Sequence, residues 1–345
     1  MIKRLRPAMA CGAIVMAGCF CSAAQEERPI RVLDRPDRRL KRHKAPVPYL
    51  GGVAIFLGSV GAVVAMKLWL GEGPWLDRLR GAGGILAGST CVFLVGLRDD
   101  FRPMRPRTKL LWQAAATAIP IAFGVHIRFI DRPEAAWLLT LLWLVGVTNA
   151  LNLTDIKDGL CAGLSAIAAA WFWLISSQHG RLNDALMAAA ICGACLGLLR
   201  LNRAPARIYM GDAGSLFLGF ALGSVALGLG VSRQTNLGVV APLLILGVPL
   251  FETFFVMAVR WMQGKPVMQG SPDHIPIRME RMGWSTRAAV AWLWAAGAGL
   301  GAAAWLVVQL TWERALLVAG AVGAAALLAA IRLASVRVDP VPPVR

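Results

Sequence analysis

The sequence predicts an all-α fold, a polytopic transmembrane helix bundle of about 10–11 helices. Three observations carry this expectation. The 345-residue chain is 57% hydrophobic with a mean hydropathy of +0.60, beyond the range of ordinary soluble domains. Apolar runs of membrane-crossing length recur along it. The basic residues lie in short loops between those runs, so the formal charge of +17 reads as topology rather than as a nucleic-acid footprint. No nucleic-acid partner is expected.

Taken in order, the first run is 7–24. It follows a charged start and ends in small residues, so it reads as a first transmembrane helix, with a removable signal as the alternative. The second, 47–69, opens at Gly51-Gly52 after a basic loop. The third, 82–97, ends against Arg98, Asp99 and Asp100, and the fourth, 110–127, opens after Lys109. The fifth, 134–152, ends at Asn152, and the sixth, 160–177, follows Asp158 and Gly159. The seventh, 184–200, stops before Asn202; the eighth, 214–231, follows Asp212. The ninth, 236–259, contains Pro249 and Glu252. The last two, 287–310 and 315–332, follow a polar loop holding His274 and Arg278. Residues 25–335 then form one membrane-embedded domain, and the Pro-rich end, 336–345, reads as a disordered tail.

Orientation follows from the loops. With 25–46 in the cytoplasm and alternation from there, cytoplasmic segments hold 25 of the 36 Lys and Arg, the positive-inside asymmetry. Cysteine adds little, because seven residues without regular spacing argue against a disulfide framework. Cys192 and Cys195 read as small residues packing inside a helix.

Five of the 19 acidic residues lie at the ends of runs: Asp99, Asp100, Asp155, Asp158 and Asp212. A carboxylate beside hydrocarbon is costly and is usually kept for function. Alternation places all five on the cytoplasmic side, among arginines. Such convergence suggests a divalent cation and a phosphorylated substrate. The adjacent Asp99 and Asp100 would raise each other's pKa unless a cation offsets them. Asp155 and Asp158, three apart, share a face if helical, and Asn152 extends that stripe. Asp212, between glycines, also suits a plain helix N-cap. His274 and Arg278 sit where a proton-transfer or ligand-binding group would be useful beside phosphate.

Together these segments resemble the polyprenyl-phosphate N-acetylhexosamine-1-phosphate transferase family, glycosyltransferase family 4. Gly96-Leu-Arg-Asp-Asp100 with Lys109 is similar to its DD motif and later lysine. Asn152-Leu-Thr-Asp155 with Asp158-Gly-Leu160 is similar to its NxxDGxDGL motif. Asn202, Pro205-Ala206 and Met210-Gly-Asp-Ala-Gly-Ser215 are similar to its FNxxPAxxFMGDxGS motif.

The resemblance implies transfer of a sugar-1-phosphate, GlcNAc-1-phosphate first, from a UDP-sugar to polyprenyl (undecaprenyl) phosphate with release of UMP. This would be the first membrane step of cell-envelope polysaccharide synthesis, at the cytoplasmic face of a bacterial inner membrane. It implies Mg²⁺, with Mn²⁺ as an alternative, and leaves a homodimer open. By motif, Asp212 would be the main metal ligand and Asn152 a second. Asp99 and Asp100 would deprotonate or orient the lipid phosphate, or help hold the metal. Asp155 and Asp158 would organise the nucleotide site, and Lys109 and Asn202 would assist phosphate or uridine binding.

Three departures stand out. Ile156 replaces the first Gly of NxxDGxDGL, Glu252 stands where Asp is usual, and the HxHH triplet is reduced to His274-Ile-Pro-Ile277 followed by Arg278. His274 is expected to bind the sugar nucleotide, and Arg278 to replace a lost histidine as a phosphate clamp. A transporter with the aspartates as transport sites, or a family member that has lost catalysis, are the rival readings.

Overall fold

The structure is a computed structural model that describes residues 33–34, 47–69, 82–229, 240–267, 272–336 and 338. The expected run 7–24 and the tail 339–345 lie outside the described residues. The described chain is helical throughout, apart from a two-residue antiparallel ribbon, β1 (Leu33–Asp34) with β2 (Val47–Pro48). The helices are α1 (Gly51–Trp69), α2 (Ala82–Phe101), α3 (Pro106–Ala122), α4 (Pro133–Thr154), α5 (Leu160–Gln178) and α6 (Leu182–Asn202). They continue with α7 (Gly211–Leu229), α8 (Val240–Ile245), α9 (Gly247–Met262), α10 (Ile275–Arg281), α11 (Thr286–Gln309) and α12 (Trp312–Ala334). Eight of them (α1, α2, α4, α5, α6, α7, α11 and α12) are long and apolar enough to cross a membrane.

Local chemistry sets several boundaries. Pro106 and Pro133 open α3 and α4, where a missing N–H costs nothing. Ser285 caps α11 by accepting from the Ala288 N–H at 3.2 Å. Two expected runs differ from the helices that form. The fourth stops at Ala122, because Gly124 takes φ +78° and the Val125 N–H donates back to the Pro120 carbonyl at 2.8 Å. That is a Schellman closure, and it overrides the apolar residues beyond. The ninth run is broken at Leu246 into α8 and α9. Pro249 lacks an N–H, and its ring would strike the carbonyl four residues back, at Ile245, which favours the break seen here.

Burial orders the bundle. α7 is enclosed along most of its length, packed by α1, α2, α4 and α5. Among the described residues α12 is covered almost nowhere, and it leaves Leu317 at 74% exposure. Leu68 and Trp261 are each 77% exposed. Apolar side chains presented this way on long helices face hydrocarbon rather than water.

The packing also fixes which helix ends meet. The C-terminal ends of α2 and α4 come together with the N-terminal ends of α3 and α7. The central helix can approach closely because Gly96 on α2 faces the first turn of α7, where a Cβ would fall on the Asp212 backbone carbonyl.

Candidate active site

The site is built at that meeting point, around Asp212 in the first turn of α7. The Lys109 ammonium, from α3, bridges two carboxylates. It lies 2.8 Å from Asp99 Oδ2 and is also paired with Asp212 Oδ2. The other Asp212 oxygen, Oδ1, accepts from Asn152 Nδ2 at 3.0 Å. Asn152 Nδ2 also donates to Ser215 Oγ at 2.9 Å, which orients the amide so that its Oδ1 is left for another ligand. An ammonium shared by two carboxylates offsets the repulsion between them.

The adjacent aspartates of α2 divide their work. Asp99 Oδ1 accepts the Met104 N–H at 2.6 Å, holding the turn to α3. Asp100 accepts the N–H groups of Asp212 and Ala213 at 2.8 and 3.0 Å. It therefore caps α7 from a different helix, satisfying donors that a helix start leaves orphaned and adding favourable charge at the dipole's positive end. Gly211, at φ +68°, makes this docking feasible, since a Cβ there would lie 2.7 Å from Asp100 Oδ2. Both aspartates were expected to act on a lipid phosphate or metal; in the structure Asp100 positions Asp212, while Asp99 faces Lys109.

The turn between α4 and α5 brings Asp155 and Asp158 to the same end, though not as a helical pair. Asp158 Oδ2 accepts the Ala206 N–H at 2.9 Å, fixing the loop that leads to α7. Asn202 joins the same two segments, accepting the Gly159 N–H at 3.1 Å and donating to the Ile208 carbonyl at 2.9 Å. It is 2% exposed, with both ends of its amide engaged. Asn202, expected to assist phosphate or uridine binding, thus staples the turn after α4 to the loop before α7. Asp155 is the carboxylate of this turn that faces the cluster. Burial, followed by the charges of Asp212, Asp100 and Asp158, pushes it up from 3.8 to about 7.

His274 and Arg278 fall in a separate, buried network. His274 is the N-cap residue of α10, and its Nδ1 lies 2.8 Å from Glu252 Oε1. Glu252 also accepts the Ile275 N–H at 3.1 Å, so the Glu of the ninth run holds both the imidazole and the helix start. Arg278, expected as a phosphate clamp, lies inside this network. It is 1% exposed and spends its donors on the Asp273 carbonyl (2.9 Å), Asp273 Oδ1 (3.1 Å) and the carbonyls of Leu333 (3.1 Å) and Val336 (2.6 Å). A guanidinium is attracted to the unpaired carbonyls at a helix C-terminus, and here it ties α10 to the end of α12.

The donor set bears on a cation. Among the described residues no three His, Cys, Asp or Glu side chains stand at metal-binding spacing. Asp212 and the spare Asn152 Oδ1 fit a hard cation that keeps water and brings phosphate oxygens, the ordinary mode for Mg²⁺ beside a nucleotide. Lys109 now supplies the positive charge between Asp99 and Asp212. Sequence reasoning missed Ser215, which lay inside a quoted motif without a role of its own. It also missed the pair formed by Lys157 and Glu280, whose separation in the chain gives no local signal.

Residues 82–230 match the sequence profile of glycosyl transferase family 4, and that stretch holds every residue of the aspartate cluster. The chain is 34% identical over 271 residues to a Bacillus subtilis protein named "Probable undecaprenyl-phosphate N-acetylglucosaminyl 1-phosphate transferase", covering 76% of this chain and 73% of the relative. It is 31% identical over 297 residues to a Desulforudis audaxviator "Phospho-N-acetylmuramoyl-pentapeptide-transferase", covering 76% and 84%. A Mycobacterium tuberculosis "Decaprenyl-phosphate N-acetylglucosaminephosphotransferase" is 30% identical over 298 residues, covering 76% and 72%. With similarity of this extent running through the helices that build the site, the chain belongs to glycosyl transferase family 4, the polyprenyl-phosphate N-acetylhexosamine-1-phosphate transferases.

Proposed function

We propose that the protein transfers a sugar-1-phosphate, GlcNAc-1-phosphate before other HexNAc forms, from a UDP-sugar to a polyprenyl phosphate, releasing UMP. The observation that carries this reading is the placing of Asp99, Lys109, Asn152 and Asp212 together at one end of the membrane helices. A lipid phosphate anchored in the bilayer and a nucleotide in water can meet only at such a surface. The names of the relatives supply the substrate classes.

In the transfer, an oxygen of the lipid phosphate forms a bond to the β-phosphorus of the UDP-sugar. The bond from that phosphorus to the oxygen bridging the α-phosphate breaks, and UMP leaves with that oxygen. Phosphoryl transfer of this kind needs positioning and charge neutralisation more than covalent help. Lys109 neutralises phosphate charge at the point where Asp99 and Asp212 hold it. Asp99 orients the acceptor phosphate and takes its proton when that phosphate arrives protonated. Asp100 holds the first turn of α7 so that Asp212 stays in register. Mg²⁺, held by Asp212 and Asn152 Oδ1, would supply the remaining neutralisation of the diphosphate. Arg98, Arg102, Arg105, Arg107, Arg203 and Arg207 flank this end of the bundle. By the positive-inside rule they support a cytoplasmic site in a bacterial inner membrane.

The test is UMP release by the purified protein given undecaprenyl phosphate and UDP-HexNAc donors in turn, with Mg²⁺ or with a chelator. Release should require both lipid and cation, and Asp212→Ala should lower it by about a hundredfold or more. Asp212→Ala protein that is folded and still active would remove Asp212 from the mechanism. Folded parent protein that releases no UMP from any donor would overturn the transferase reading.

A further inference from the structure

One of this chain's departures from the family pattern, Ile156, and its neighbour Lys157 point toward α10. Ile156 and Lys157 occupy the turn between Asp155 and Asp158. Ile156 packs against the apolar cluster that includes Ile275 and Met279 of α10. Lys157 Nζ lies 2.7 Å from Glu280 Oε1 and 2.8 Å from Oε2, so it straddles a carboxylate of the same helix. Glu280 Oε1 also accepts from Thr286 Oγ1 at 2.7 Å, which anchors it to the start of α11. From the other side, Arg287 on α11 donates to the Ala204 carbonyl at 3.2 Å. Thus the Asp155 turn is tied to α10 by the Lys157–Glu280 pair, beside the apolar cluster that Ile156 and α10 share. α10 is itself held by Glu252, through His274 and the Ile275 N–H.

We propose that Lys157 and Glu280 are positioning residues for the sugar-nucleotide end of the site, acting through the turn that carries Asp155. This rests on the transferase reading above. A flexible Gly at position 156 would leave the turn free to adjust. Lys157 instead ties it to Glu280 on α10 while Ile156 packs into the adjoining apolar cluster, so the place of the Asp155 carboxylate is set by contacts outside the aspartate cluster. The pair is partly solvated, with side-chain exposures of 22% and 27%, so its own energy is modest. Its effect is geometric, and small misplacements at a phosphoryl-transfer site are costly.

The test compares the full-length parent in lipid nanodiscs with Lys157→Ala, Glu280→Ala, both together, Lys157→Arg, and the reversed pair K157E/E280K. UMP release is measured with UDP-GlcNAc varied at saturating undecaprenyl phosphate and the converse, and UDP binding by calorimetry. Each alanine variant should lose about three- to tenfold in kcat/KM for the donor, with the KM for lipid unchanged and UDP affinity falling in parallel. The double variant should be no worse than either single, Lys157→Arg should stay near the parent, and the reversed pair should recover most of the loss. Alanine variants equal to the parent would overturn the proposal, as would equal losses for donor and lipid or a reversed pair no better than the double. If the parent releases no UMP, the transferase reading fails by itself. UDP affinity across the same variants then judges the pair, which is overturned if the variants bind like the parent or if the parent does not bind UDP.

Discussion

At the residue scale, the site turns on how carboxylates of one sign are made tolerable in one place. Asp99 and Asp212 share Lys109, Asp100 caps α7, and Asp158 holds a backbone N–H. Among the described residues Asp155 faces the others without such a partner, and burial with their charges pushes it up to about 7. Its ordinary value in an unfolded chain is near 3.8, so between those values the folded protein holds a proton that the unfolded chain gives up. Stability from this group is therefore full below about 3.8 and is lost as pH rises through about 7. In chelator-treated protein, Asp155→Asn should match the parent in thermal stability near pH 4. At pH 8 it should exceed the parent by on the order of 2–4 kcal/mol. Melting curves across that range check this, and a variant less stable than the parent at pH 8 would show that the carboxylate is stabilised by a contact rather than opposed by its neighbours.

At the element scale, close approach of helices sets the geometry. A Cβ at Gly96 would fall on the Asp212 carbonyl, and one at Gly52 on the Gly214 amide, so α2 and α1 reach the first turn of α7 only as glycine. Gly96→Ala must move one backbone or the other, and overpacking of this kind costs about 1–3 kcal/mol. The variant should melt lower than the parent and lose UMP release together with the Asp100 cap. A variant with parental melting and activity would mean that the helices have slack. The helices themselves were legible, because apolar length and loop charge are local signals. The stop at Gly124 and the break at Leu246 were written in Gly124 and Pro249 but were hidden by the hydropathy around them. What each site residue does was less legible. Asp100 looks like Asp99, and Asn202 looks like a polar ligand, until the helix each one faces is known. Arg278 beside a reduced histidine motif invites a phosphate role, and its contacts with Leu333 and Val336, 55 and 58 residues away, give no signal in the local sequence.

At the scale of the whole molecule, alternation of the helices gives a sided prediction. The starts of α1, α3, α5, α7 and α11 and the ends of α2, α4 and α6 lie toward the aspartate cluster, so the loop between α5 and α6 lies at the far end. Arg203, beside the cluster, and His179, at the far end, are both exposed. On a background with the seven native cysteines replaced, Arg203→Cys should react with a membrane-impermeant maleimide only in inverted vesicles or lysed cells. His179→Cys should react in intact spheroplasts. The expectation rests on loop charge, because each Lys or Arg held on the cytoplasmic side adds to the bias, and the cluster end carries the basic loops. It also has a chemical basis in the proposed reaction, because a nucleotide-sugar donor supplied in the cytoplasm would require the carboxylate end to face it. Labelling of Arg203→Cys from outside would invert the bundle and leave the site facing away from its donor. A transferase with that topology could not draw on a cytoplasmic nucleotide, so this one measurement bears on the fold's orientation and the proposed reaction together.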